Sequence, residues 1–269
     1  MKRPDVHIDN FMQVYDHYAT TGPSWMGKHV LFPLINHKYG DRVHTTFLGD
    51  AYEKIAAPIR EGLSGHIFIA NHASEADPLM LTAMMQQEGL RHQLHNTVTW
   101  GKASLFKGKT RIVADAAGSI PVFRAKDMGY QPGETLSPGD KDQLEIRSNY
   151  LIKTSQALLK QGRHIMLFPE GTINRDHYSE LRFKDGLGRL ACTDAIVASE
   201  SSIVPMGIRY EQQDGEMHAH IAIEEPFAVG GIVYSQAENV YNQQAVLAEA
   251  REQVLTCLKY LHEPTTPAS

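Results

Sequence analysis

The chain has 269 residues, 42% of them apolar and 21% charged, enough for one large domain with a real core and a small appendage. Its 26 basic and 31 acidic residues give a net charge of −5, which argues against a general nucleic-acid binder but not against a local basic patch. Two cysteines, Cys192 and Cys257, are too few for a disulfide framework; both fall in stretches that read as helical, so buried free thiols and a reducing, cytoplasmic setting are expected.

The start, Met1-Lys2-Arg3-Pro4-Asp5, has no apolar run behind it, so no signal peptide is expected. Phe11, Val14, Tyr15 and Tyr18 recur at helical spacing. After a break at Gly22-Pro23, Trp25, Val30, Leu31, Leu34 and Ile35 form a second apolar stretch. Residues 1–42 therefore read as an N-terminal helical segment, two short helices packed on a main domain. A membrane-facing amphipathic hairpin is the alternative, because the aromatics interleave with His and Lys. At a net charge of −5, anionic lipid should strengthen such a weak contact little.

Residues 43–262 alternate short apolar runs with helix-length segments. The runs are Ile67 to Ala70, Ile165 to Phe168 and Ile203 to Met206; the helical segments are Pro78–Glu88, Gln143–Gln161, Gly186–Ser199 and Ala237–Leu261. This pattern predicts an α/β domain with a mixed, mostly parallel central sheet flanked by helices on both faces. The polar stretch from Lys126 to Asp142 predicts a mobile loop or lid, and residues 263–269 a disordered tail. No window approaches the roughly 18 consecutive apolar residues that a membrane span needs. The protein is expected to be cytoplasmic, at most peripheral at a membrane.

Chemistry concentrates where strands end. Asn71-His72 follows the run Ile67 to Ala70 directly, and reactive groups in α/β sheets cluster beyond the carboxyl ends of strands. Asp77, in the first turn of the next helix, can reach back to His72, fixing its tautomer and leaving the other ring nitrogen to take a proton. Ser74-Glu75-Ala76-Asp77 equally fits a helix-capping pattern, in which Asp77 only holds a helix start. Downstream, Glu170-Gly171-Thr172 places a carboxylate and exposed amides at another strand end, and Arg124 and Arg175 offer guanidinium forks for a phosphate. His218-Ala219-His220 reads as an isolated pair on an exposed strand, and without a C-x-x-C or H-x-x-x-H set no metal is expected.

Four segments carry a resemblance: Asn71-His72-Ala73-Ser74-Glu75-Ala76-Asp77-Pro78; Gly118 to Arg124; Phe168-Pro169-Glu170-Gly171-Thr172; and Ile203-Val204-Pro205. In this order they resemble the four motifs of the glycerol-phosphate acyltransferases, N-H-x4-D, G-x-[IF]-x-[IVF]-x-R, F-P-E-G-[TS] and a V-P strand. Lys102 to Phe106 resembles the family's K-x-x-L-F segment and Phe183 to Gly186 its F-K-x-G segment. The likeness spans residues 44–225. Gly65-His66 and the first motif look closest to the soluble, plastid-type glycerol-3-phosphate acyltransferases. The third motif is the common F-P-E-G-T rather than the plastid-type variant, and Ile173 stands where many members have arginine.

The resemblance implies that His72 is the base, oriented by Asp77, with Glu170 and Gly171 in the catalytic set and the oxyanion held by amides near Gly171 or near a strand–helix turn. Arg124 and Arg175 would grip the acceptor's phosphate, with Lys102 and Lys184 as further candidates; Asn71, Ser74 and Thr172 would support the site. Neither cysteine lies in a motif, so direct transfer without a covalent acyl-enzyme is implied, and no cofactor. The donor would be acyl-CoA or acyl carrier protein. The acceptor would be glycerol-3-phosphate at its sn-1 hydroxyl, or lysophosphatidate. A metallohydrolase and a non-catalytic lipid-binding relative are the rival readings.

Overall fold

A computed structural model describes residues 3–57, 65–131, 133–174, 181–193, 196, 201–230, 234–235 and 240–262. Its sheet contains strands β1 (Val43–Phe47), β2 (Ile67–Ala70), β3 (Thr97–Lys102), β4 (Ser119–Val122), β5 (His164–Leu167), β6 (Ser202–Gln213), β7 (Glu216–Ile223) and β8 (Phe227–Ala228). The order is β1-β7-β6-β2-β5-β3-β4, with β8 also paired to β6. From β6 through β2, β5 and β3 to β4 every pairing is parallel; β7 and β8 run antiparallel to β6, and β1 is parallel to β7. The fold is the expected mixed, mostly parallel α/β sheet.

Strands β2 and β5 are buried at every position, as continuous apolar runs must be when both faces of a sheet are covered. Their alternate residues enter two cores. Ile67, Ile69, Ile165 and Leu167 meet the helices α1 (Phe11–Tyr18), α7 (Pro138–Lys160) and α9 (Gln243–His262). Phe68, Ala70 and Met166 meet α2 (Phe32–Tyr39) and α4 (Asp77–Gln87). Gly65 precedes β2 because any side chain there would collide with the Arg163 carbonyl, 1.8 Å from where its Cβ would stand.

The N-terminal segment is helical as expected, but its two helices do not form one hairpin unit. Phe11, Val14, Tyr15 and Tyr18 of α1 join the first core, whereas Phe32 and Ile35 of α2 join the second, on the opposite face of the sheet. A π-helical turn at Gly27–Leu31 leads into α2.

Two boundaries differ from the sequence expectation. The polar stretch from Lys126 to Asp142 is shorter than a lid: a 3-10 turn covers Ala125–Met128, and α7 begins at Pro138. Ser137 caps that helix by accepting the Asp140 amide, and proline at a first helical position costs nothing because its missing N–H would have no partner there. The last helix begins at Gln243 rather than Ala237, since Val240–Tyr241 (β10) pairs with Tyr234–Ser235 (β9). Between Gly186 and Ser199 the described residues give a helix α8 at Gly186–Ala191, and much of the remainder lies outside them. The tail 263–269 also lies outside. No helix among the described residues is long and apolar enough to cross a membrane.

Candidate active site

The parallel order brings the sequence motifs to one edge of the sheet. His72 follows β2, Lys102 closes β3, Arg124 follows β4, and Glu170 and Gly171 follow β5; these four strands are neighbours. That edge is the carboxyl end, where a parallel sheet leaves its loops free to converge on a ligand.

His72 is 8% exposed and Asp77 fully buried. Asp77 opens α4, one turn beyond the loop that carries His72, so its carboxylate points back into that loop. Oδ2 lies 2.8 Å from His72 Nδ1 and accepts the amides of Ala73 and Ser74 at 2.8 and 3.0 Å. Oδ1 accepts the Tyr210 hydroxyl at 2.7 Å. The same carboxylate thus ties the loop to the helix start and contacts the imidazole. Four donors thus satisfy this buried carboxylate. With Nδ1 engaged, Nε2 is the nitrogen left to accept a proton.

The next supports come from the β5 turn. Glu170 Oε1 accepts the His72 amide at 2.8 Å, and the His72 carbonyl accepts the Asn174 amide at 2.7 Å. Burial raises the Glu170 carboxyl above its ordinary range, opposed by the His72 amide and the Asn174 side chain that bond to it. Glu170 therefore braces the main chain of His72. Phe168 stacks on the imidazole at 4.4 Å. Gly171 adopts φ +67°, and its amide donates to the Phe168 carbonyl at 2.9 Å. That amide closes the turn, so it is not free to meet an oxyanion. Asn71 acts at a distance: its side-chain amide pairs with both the N–H and the C=O of Ile208, clamping β2 to β6. Ser74 Oγ accepts the Ala76 amide and shapes the loop.

The cationic candidates divide. Arg124 lines the cleft that contains His72, together with Trp100, Lys102, Phe168 and Gly171. Its Nε and one terminal nitrogen are buried without a hydrogen-bond partner, and Asp127 approaches Nε only to 3.6 Å. Lys102 shares the cleft, its Nζ 3.9 Å from Glu75. Lys184 and the exposed Thr172 line a neighbouring recess with Glu170 and Arg182. Arg175 lies outside the described residues.

Beside the cleft lies an apolar cavity of about 320 Å³, walled by α2, α4 and α6 (Thr110–Ala116). It shares Glu75, Pro78, Thr99, Leu105 and Ser119 with the part of the cleft that holds His72, and extends to Leu94, Ala114 and Met166.

Sequence reading missed Tyr210, Phe168 as a stacking partner, and Asn174. Phe168 and Asn174 flank the recognised Glu170-Gly171-Thr172 and could have been found from it. Tyr210 comes from β6, with no local signal tying it to Asp77. His218 and His220 are not isolated: β1 lies parallel to β7, and His44 stacks on both at 5.4 and 4.9 Å. Both cysteines are buried and free; burial pushes the thiols up to about 11 for Cys192 and about 12 for Cys257.

Residues 53–209 match the family model described as Acyltransferase, and the chain belongs to that family. No curated protein matches it. Acyl transfer is therefore its class of reaction.

Proposed function

We propose that this acyltransferase moves a fatty acyl chain from acyl-CoA or acyl carrier protein to the sn-1 hydroxyl of glycerol-3-phosphate. The observation that carries the reading is the composition of one cleft. His72, held by Asp77, shares a cleft with Arg124, whose buried Nε and one terminal nitrogen make no hydrogen bond, Asp127 pairing with Nε only at 3.6 Å, and the cleft adjoins an apolar cavity sized for a hydrocarbon chain. Arg124, with Lys102, suits the acceptor's phosphate. The cavity suits the donor's chain, each buried methylene contributing about 0.8 kcal/mol.

In this mechanism the acceptor hydroxyl donates to His72 Nε2. As its oxygen attacks the thioester carbonyl, the proton passes to the imidazole, and Asp77 stabilises the imidazolium. The tetrahedral adduct collapses with cleavage of the C–S bond, and the imidazolium returns its proton to the departing thiolate. The ester and a free thiol result, with no acyl-enzyme; the raised thiol of each buried cysteine supports direct transfer.

The test crosses both acceptors, glycerol-3-phosphate and 1-acylglycerol-3-phosphate, with both donors. Highest kcat/KM on glycerol-3-phosphate is expected, and loss of turnover in His72→Ala. Preference for the acylated acceptor would reassign the substrate. Inactivity with every pair would favour a non-catalytic lipid-binding relative.

A further inference from the structure

A second cleft, about 550 Å³, lies on the other side of the second N-terminal helix from the apolar cavity. Leu31, Phe32 and Ile35 line the cavity, whereas Lys28, His29, Pro33, Asn36 and His37 line this cleft. Gln86 of α4 and Arg91 and His95 of α5 (Arg91–His95) complete its wall. It shares no lining residue with the cleft that holds His72.

Its wall is one-sided in charge. Among the described residues that line it, Lys28, Arg91 and three histidines face it and none is acidic. Folding normally places a carboxylate among such groups, because like charges at close range repel. The repulsion registers on His95, held below the ordinary histidine range by burial first and then by Lys28, His29, Arg91 and His92. His95 Nε2 is buried with no hydrogen-bond partner. A wall of donors, an orphaned ring nitrogen and uncompensated positive charge describe a receptor for a compact anion rich in acceptor oxygens.

We propose that this cleft binds a phosphate group, at a site separate from the acceptor's phosphate beside His72. A free phosphate and the headgroup of an anionic lipid present the same chemistry. The surroundings favour the headgroup: Trp25, Val30 and Leu34, 73%, 42% and 59% exposed, project from the same stretch of chain. The Trp25 ring lies 5.1 Å from that of His29, placing an amphipathic aromatic beside the cationic wall. The proposal runs against the expectation drawn from net charge, since charges beyond a Debye length of about 8 Å contribute little to local potential.

The experiment uses the full chain and the double variant Lys28→Gln/Arg91→Gln, both residues lying at the surface. Co-sedimentation is measured with vesicles of phosphatidylcholine alone and of phosphatidylcholine mixed with phosphatidylglycerol. Thermal melting with inorganic phosphate is measured in an Arg124→Ala background, which removes the phosphate ligand nearest His72. The wild-type chain should partition onto the anionic vesicles in excess over the neutral ones. Neutralising two charges should weaken that by about fivefold each, roughly 25-fold together, with turnover of glycerol-3-phosphate unchanged. Phosphate-dependent stabilisation lost in the double variant, without a vesicle effect, would support the site with free phosphate as its source. Vesicle binding and phosphate stabilisation both unaltered by the double substitution would overturn the proposal. These readouts stand whichever acceptor the enzyme proves to use.

Discussion

Ala114→Leu tests whether the apolar cavity holds the donor's hydrocarbon chain. Ala114 sits on α6, is 8% exposed, and lines the cavity but not the cleft beside His72. Leucine adds three carbons into the empty space, displacing about three methylenes from the far part of a bound chain. Each methylene left unburied forfeits about 0.8 kcal/mol, a factor of roughly four in binding. The longest donors that fill the cavity should therefore lose up to about 60-fold in kcat/KM, and donors too short to reach α6 should lose nothing. The assay is kcat/KM over a ladder of saturated acyl donors, with the melting temperature as a control for packing. A uniform loss at every chain length would mean that the substitution distorts the site. An unchanged ladder, with the melting temperature kept, would place the chain elsewhere and refute the assignment.

Tyr210→Phe removes the hydroxyl from buried Asp77; a hydrogen bond to a charged group contributes about 1.5–3 kcal/mol, so kcat should fall about 10- to 100-fold with KM for either substrate nearly unchanged. A change confined to KM would show that Tyr210 contacts substrate instead. Arg124→Ala should raise KM for the acceptor by a similar factor while leaving KM for the donor near wild type, and equal effects on both would count against a phosphate role. Stability should fall on acidification below about pH 6.5, most steeply between there and about pH 4. His66 and His164 stack at 5.3 Å, and burial lowers them to about 4 and about 3. Such histidines stay neutral in the fold but take up protons when unfolded below 6.5, so each costs about 1.4 kcal/mol per pH unit until its folded value is reached. Urea melts at stepped pH would detect this, and a His164→Gln variant that kept the full acid sensitivity would contradict the cause.

The sequence shows the sheet because β2 and most of β5 are continuous apolar runs, a pattern that two-sided burial supports. It brings His72, Arg124 and Glu170 together because each follows its own strand of a parallel sheet, so strand ends in the sequence become neighbours in space. Helix starts are harder to read. Pro138 and Gly139 look like loop residues until Ser137 is seen capping the turn. What sequence cannot show is pairing across strands distant in the chain. Tyr210 reaches Asp77 across 133 residues, and its position follows from the parallel register that sets Ala70 beside Met206, which carries the rest of β6 past the end of β2.

The same limit bears on what net charge can say about the N-terminal segment. Lys28 and Arg91 are far apart in sequence, and a count of charges places neither beside the other; packing of α2 against α4 and α5 does. One helical stretch then separates two unlike spaces, an apolar cavity against Leu31, Phe32 and Ile35 and a cationic cleft against Lys28, His29 and His37. The reaction proposed here joins a hydrocarbon chain to a glycerol phosphate. A helix that keeps an apolar wall and a cationic wall back to back is suited to sit where those two chemistries meet, at the surface of a lipid layer.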